Sequence, residues 1–152
     1  MPEHLTPIRA PREDEFESWA PLFRAYRAFY DLAADEAVVE RVWSWIHSPA
    51  QETNALIAVT NDAATVGLAH YRRFARPSTG TVGIYLDDLL TDPAHRGTGI
   101  GRALIEAVTE IGAEQGCSIL RWITAADNAH AQKLYNTIAT RTTWLTYDKP
   151  CR

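Results

Sequence analysis

The chain has 152 residues, enough for one packed domain and short for two. Its hydrophobic fraction is 46%, and 15 basic residues against 19 acidic ones give a net charge of −4. Those figures exclude wholesale disorder and the broad basic surface of a nucleic-acid binder, and no apolar run reaches the roughly 20 residues of a membrane span.

In chain order, Leu5–Arg9 reads as a short strand in which Pro7 favours an edge. The acidic run Glu13-Asp14-Glu15 suits the positive end of a helix. From Phe16, apolar and aromatic positions (Phe16, Trp19, Ala20, Phe23, Tyr26, Tyr30) recur at spacings of three and four, predicting a helix that carries Pro21 within it. Asp31–Asp35 breaks that pattern, and a second helix is predicted from Glu36 to His47, with Val38, Val39, Val42, Trp43 and Ile46 on one side. Ala55–Val59 and Thr65–Tyr71 read as a hairpin around Asn61-Asp62. Arg72, Arg73 and Arg76 then lead into the loop Pro77–Gly80 and read as a solvated strand end.

Val82–Leu90 is the next strand, followed by a glycine-rich turn and a helix with Ile100, Leu104, Ala107, Val108 and Ile111 on its apolar face. Ser118–Ile123 reads as a strand, Asp127-Asn128 can cap a last helix to about Ile138, and Arg141–Tyr147 is expected to close the chain as a strand. A hairpin, a strand, a crossover helix and another strand make an α/β fold, a single mixed sheet flanked by about four helices, formed by residues 1–152 as one domain. The strands on either side of the crossover helix are expected to be parallel.

The first residues carry no apolar stretch before a cleavage site, so a cytoplasmic protein is expected. Cys117 and Cys151 form no C-x-x-C pair and read as reduced thiols. The five histidines lack metal-ligand spacing such as H-E-x-x-H, so no metal is expected.

The stretch that carries chemistry is Tyr85–Glu114. Gly97, Gly99 and Gly101 let backbone N–H groups approach a ligand closely, the helix that follows adds its positive end, and Arg96 and Arg102 supply donors suited to phosphate oxygens. A nucleotide-hydrolase loop would need Gly-Lys-Ser/Thr, whereas Gly101 is followed by Arg102-Ala103. A dinucleotide fingerprint would place its glycines directly after the strand, and Thr91–Arg96 intervene.

The Arg-x-x-Gly-x-Gly loop between a strand and an amphipathic helix resembles the acetyl-coenzyme A signature of the GCN5-related N-acetyltransferases. Within that superfamily, I-Y-L-D-D, R-G-T-G-I-G, G-C-S at 116–118 and the spacing from Asn128 to Leu134-Tyr135 resemble the diamine (spermidine/spermine) N-acetyltransferases. The aromatic helix pair with F-Y-D-L and the tail I-A-T-R-T-T-W-L-T-Y-D look more like the yeast histone, polyamine and D-amino-acid acetyltransferases. The Gly-Phe usual after the last helix is replaced by Ala139-Thr140, and one strand there instead of two leaves the sheet short or completed by a partner chain. From this shortened end and from family habit a homodimer is expected.

The resemblance implies transfer of the acetyl group of acetyl-CoA to a primary amine in a ternary complex. It places the cofactor on Leu89, Leu90 and Thr91, on the loop Arg96, Gly97, Thr98, Gly99, Ile100, Gly101 and Arg102, and on Asn128 and Ala131. Backbone N–H groups near Leu89 and Thr91 would receive the thioester carbonyl and pantetheine arm. Tyr135 is implied as the acid that protonates the departing thiolate, since a phenol with an ordinary pKa of about 10 is protonated at neutral pH. Asp87 stands where the diamine enzymes have glutamate, implying a general base acting through a water or a group that holds the ammonium before deprotonation. Strand alternation puts Asp87 and Asp88 on opposite faces. Tyr26, Tyr30 and Asp31, with Asp35 and Glu36, are candidates for contact with a polyamine or diamine; an amino acid or protein amine is the alternative acceptor, and a non-catalytic acetyl-CoA-binding module is the reading of another class.

Overall fold

A computed structural model describes residues 6–152, so that Leu5, at the start of the first predicted strand, lies outside the described residues. The elements are β1 (Ile8–Arg9), α1 (Phe16–Phe29), α2 (Glu36–Ile46), β2 (Asn54–Val59), β3 (Thr65–Arg76), β4 (Thr81–Thr91), a short 3-10 turn (Pro93–His95), α3 (Ile100–Glu114), β5 (Leu120–Arg121) and α4 (Ala129–Ile138). The sheet runs β1-β2-β3-β4-β5 and is antiparallel except between β4 and β5. That parallel pair is the one joined through α3, as a crossover requires. The chain divides into two compact units at Trp122, the sheet with α1–α3 forming the first and α4 with the tail the second. Among the described residues no helix is long and apolar enough to cross a membrane.

The apolar spacing of α1 and α2 becomes one face of the core. Trp19, Ala20, Leu22, Phe23 and Val39 pack with Ile57, Val59 and Leu68 of β2 and β3. Pro21 lies in the second turn of α1, where its missing N–H removes one helix bond, that to the Glu17 carbonyl. The start of α1 is tied to β1 by Glu15, which accepts from both Arg9 guanidinium nitrogens (2.6 and 2.8 Å) and from the Arg12 N–H. The Arg9 bond, ahead of the Arg12 N–H, holds the Glu15 carboxyl down at about 2. Asp35 caps α2 by accepting from the Ala37 N–H.

The other face is covered by α3, which buries Ile100, Leu104, Ile105 and Val108. It lies close because β3 carries glycine at the contact: a Cβ on Gly67 would stand 2.6 Å from Ile100 Cγ2 and 3.2 Å from Ala58 Cβ. Ile100 opens the helix at the end of the glycine loop, so Gly67 also sets where that loop sits. Gly67→Ala is expected to cost about 1–3 kcal/mol by overpacking, read as a lower denaturation midpoint with an unchanged slope.

Two sequence expectations are corrected. Arg141–Tyr147 forms no strand but continues as irregular chain with Trp144, Leu145 and Tyr147 at 82%, 79% and 88% exposure. A strand draws its backbone hydrogen bonds from a neighbour, and among the described residues no segment pairs with this one. The expected strand Ser118–Ile123 shrinks to Leu120–Arg121, whereas β3 extends through the arginine cluster to Arg76.

Candidate active site

On the face of the sheet that α1 and α2 cover, a cavity of about 500 Å³ opens over β3 and β4, lined by Phe23, Val42, Trp45, Ala50, Gln51, Glu52, Thr53, His70, Arg72, Asp87 and Asp88. Both acids of the Asp-Asp pair line it, which overturns their expected placement on opposite faces. The cause is a bulge: His70 pairs with Asp88 and Tyr71 with Leu86, leaving Asp87 without a counterpart on β3. One extra residue resets the alternation and brings two neighbouring side chains to the same face.

The two carboxylates have different partners. Asp87 accepts from Arg72 Nε at 3.1 and 3.3 Å, and the Arg72 guanidinium lies 4.8 Å from the centre of the Tyr85 ring. Burial pushes the Asp87 carboxyl up, outweighing the opposing pull of Arg72. Asp88 Oδ2 stands 2.8 Å from His70 Nδ1. Burial first, then the charge of Asp88, raises the Tyr26 phenol, which therefore stays protonated. Tyr26 thus lies beside the acid pair, and the Tyr30 ring is tilted 57° against it at 4.9 Å between centres. Asp31 follows the end of α1 at φ 56° and is exposed.

Beyond the acids β4 has a free edge. Pairing with β5 is confined to Ile84–Leu120 and Tyr85–Arg121, so from Asp87 to Thr91 no strand lies on that side among the described residues. Alternate N–H and C=O groups of Leu89, Leu90 and Thr91 point away from β3 along this edge. The loop that follows has the form of an anion cradle. Gly97 and Gly99 adopt φ of 78° and 84°, and nothing lies within 4 Å of where either Cβ would be. The N–H groups of Ile100, Gly101 and Arg102 precede the first bond of α3, from the Ala103 N–H to the Gly99 carbonyl at 2.9 Å. Arg102 is exposed and, among the described residues, pairs with Glu106 alone, at 3.7 Å on the helix surface. Donors with no intrahelical acceptor, an open left-handed turn and exposed arginine suit a pyrophosphate.

The remaining sequence candidates lie in the C-terminal unit. Asn128, Ala131 and Tyr135 share one face of α4, where the Asn128 carboxamide oxygen accepts from the Ala131 N–H at 3.3 Å and caps the helix. Tyr135 is half-buried. Among the described residues no group of three metal-ligating side chains converges.

The "Acetyltransferase (GNAT) family" model matches residues 16–138, most of the chain. The chain belongs to the GNAT acetyltransferase family. It is an acetyl-CoA-dependent N-acetyltransferase, and the cradle with the open β4 edge is the part of the fold that suits that cofactor. Over 143 residues it is 27% identical to the D-amino-acid N-acetyltransferase HPA3 of Saccharomyces cerevisiae, covering 93% of this chain and 89% of that one. It is 40% identical over 58 residues to the thialysine N-epsilon-acetyltransferase of Sus scrofa, a match that spans 38% of this chain and 34% of that enzyme. Among solved structures, the aminoglycoside N-acetyltransferase AAC(6')-Iy in complex with CoA superposes with a TM-score of 0.80 at 18% identity, covering 96% of this chain and 95% of that one. The ribosomal-protein-alanine N-acetyltransferase of Brucella melitensis biovar Abortus 2308 gives 0.78 at 24%, covering 95% and 99%. These two show the shared fold.

Sequence reasoning missed His70, Arg72 and Glu52. Arg72 was visible as part of a basic cluster, but its pairing with Asp87 depends on strand register. His70 lacked any local motif; the signal that could have found it is its place on the strand facing the Asp-Asp pair.

Proposed function

We propose that this chain acetylates a small primary amine, of the polyamine or diamine class, by direct transfer in a ternary complex. The observation that carries the reading is the cavity itself: three carboxylates, Asp87, Asp88 and Glu52, line it against one guanidinium, Arg72, and one imidazole, His70, so it favours a cationic guest. Bound on the cradle and the β4 edge, acetyl-CoA supplies the thioester acetyl group. Asp87, its carboxyl made more basic by burial, takes the proton from the acceptor ammonium directly or through a water. Backbone N–H groups of the β4 edge are suited to the developing oxyanion, and Tyr135 protonates the leaving thiolate.

A second reading, acetylation of an amino acid, is favoured by Arg72, which can donate to a ligand carboxylate beside the acid pair, and by the activity named for the yeast relative. A screen of polyamines, diamines, amino acids and peptides, followed by release of the coenzyme A thiol, tests both. Thiol release with diamines or polyamines supports the first; turnover of an amino acid but not of its amide supports the second. Acetyl-CoA binding with no thiol release from any pool overturns the catalytic reading in favour of a binding module.

A further inference from the structure

Behind the acid pair lies a buried hydrogen-bonded row that the chemistry above leaves unused. His70 is 1% exposed, the one buried polar side chain of the core among the described residues. Its Nε2 stands 3.0 Å from Trp19 Nε1, and its Nδ1 stands 2.8 Å from Asp88 Oδ2. An indole N–H can only donate, so His70 Nε2 must present its lone pair. The ring proton therefore resides on Nδ1 and is donated to Asp88. The rings of Trp19 and Phe23 pack against the imidazole, at 5.7 and 5.1 Å between centres, and leave it one orientation.

We propose that His70 is a positioning residue, locked by Trp19 in its neutral Nδ1–H form, which fixes Asp88 as the uncompensated anion that docks the acceptor's ammonium. The inference rests on the reading of the cavity as an amine site. The division of labour follows from the partners. Asp87 already faces the Arg72 guanidinium, whereas Asp88 meets the His70 Nδ1 and, among the described residues, no lysine or arginine. Were Nε2 free to take a proton, imidazolium beside Asp88 would cancel that charge; the Trp19 N–H occupies the site where that proton would bind. The other charged or titratable groups facing this row are Tyr26 from α1, Arg72 from β3, Asp87 from β4 and Glu52 before β2, while β2 itself sets Ala55 opposite His70.

Nitrogen NMR of the uniformly labelled wild-type protein at neutral pH reads the tautomer directly: a protonated Nδ1 and a bare Nε2 are expected at His70. In kinetics, His70→Leu is expected to raise KM for the amine tenfold or more while KM for acetyl-CoA stays within twofold. His70→Asn, whose amide can donate to Asp88 from near the Nδ1 position, should recover most of that loss. Trp19→Phe, which frees Nε2, should make kcat/KM for the amine fall more steeply on the acid side than in the wild type. A protonated Nε2 in the wild type overturns the proposal, as does a folded His70→Leu with an unchanged amine KM. If no cationic amine is turned over at all, the reading of the cavity falls and Asp88 as its docking anion falls with it. An active enzyme with the wrong tautomer removes the inference alone.

Discussion

Tyr135→Phe is expected to lower kcat about 100-fold while acetyl-CoA binding, measured by calorimetry, changes little. The magnitude is the lower end of what a positioned general acid contributes. A thiolate leaving into a site without a donor must find its proton from water, and the phenyl ring offers none. The substitution leaves the helix itself intact, because the Tyr135 carbonyl, which accepts from the Ala139 N–H at 2.9 Å to close α4, belongs to the main chain. The Asn128 cap at the other end is likewise untouched. A loss of turnover accompanied by loss of helix would point to packing, and circular dichroism separates the two. An unchanged kcat would remove Tyr135 as the acid.

The fold was legible in the sequence wherever a local pattern is sufficient to define an element. The spacing of Phe16, Trp19, Phe23 and Tyr26 marks α1 because a helix buries every third or fourth residue against a neighbour. Gly97 and Gly99 marked the cradle because positive φ favours glycine, and both adopt it. What stayed illegible depends on pairing between distant segments. The bulge at Asp87 exists only in the register of β4 against β3, so period-2 alternation misplaced Asp88. Arg72 read as a solvated end because its partner lies on another strand, fifteen residues on. Trp19 was recognisable as core, but its N–H donation to His70 crosses from helix to sheet and leaves no trace in spacing. The tail T-T-W-L-T-Y has the composition of a strand and lacks only a neighbour, which no composition can supply.

The acid pair gives the second large effect, and Arg72 allows its sign to be tested. Asp87→Asn is expected to reduce kcat/KM for the amine about 100-fold, since an amide cannot take the acceptor's proton. In the wild type the base is active as carboxylate. Burial holds the Asp87 carboxyl above its usual value, so activity is full at pH well above that raised value and is lost as pH falls through it, earlier than an ordinary carboxylate would lose it. Arg72 pulls the other way, its cation favouring the charged form. Arg72→Gln removes that pull, the carboxyl rises further, and the acid limb of the kcat/KM profile moves to higher pH. Asp87→Asn should lack this limb altogether. The two variants thus differ in kind: Arg72→Gln shifts the pH at which an intact base is lost, while Asp87→Asn lowers the rate at every pH. A limb that moves to lower pH in Arg72→Gln, or survives unchanged in Asp87→Asn, would assign the titrating base to another residue.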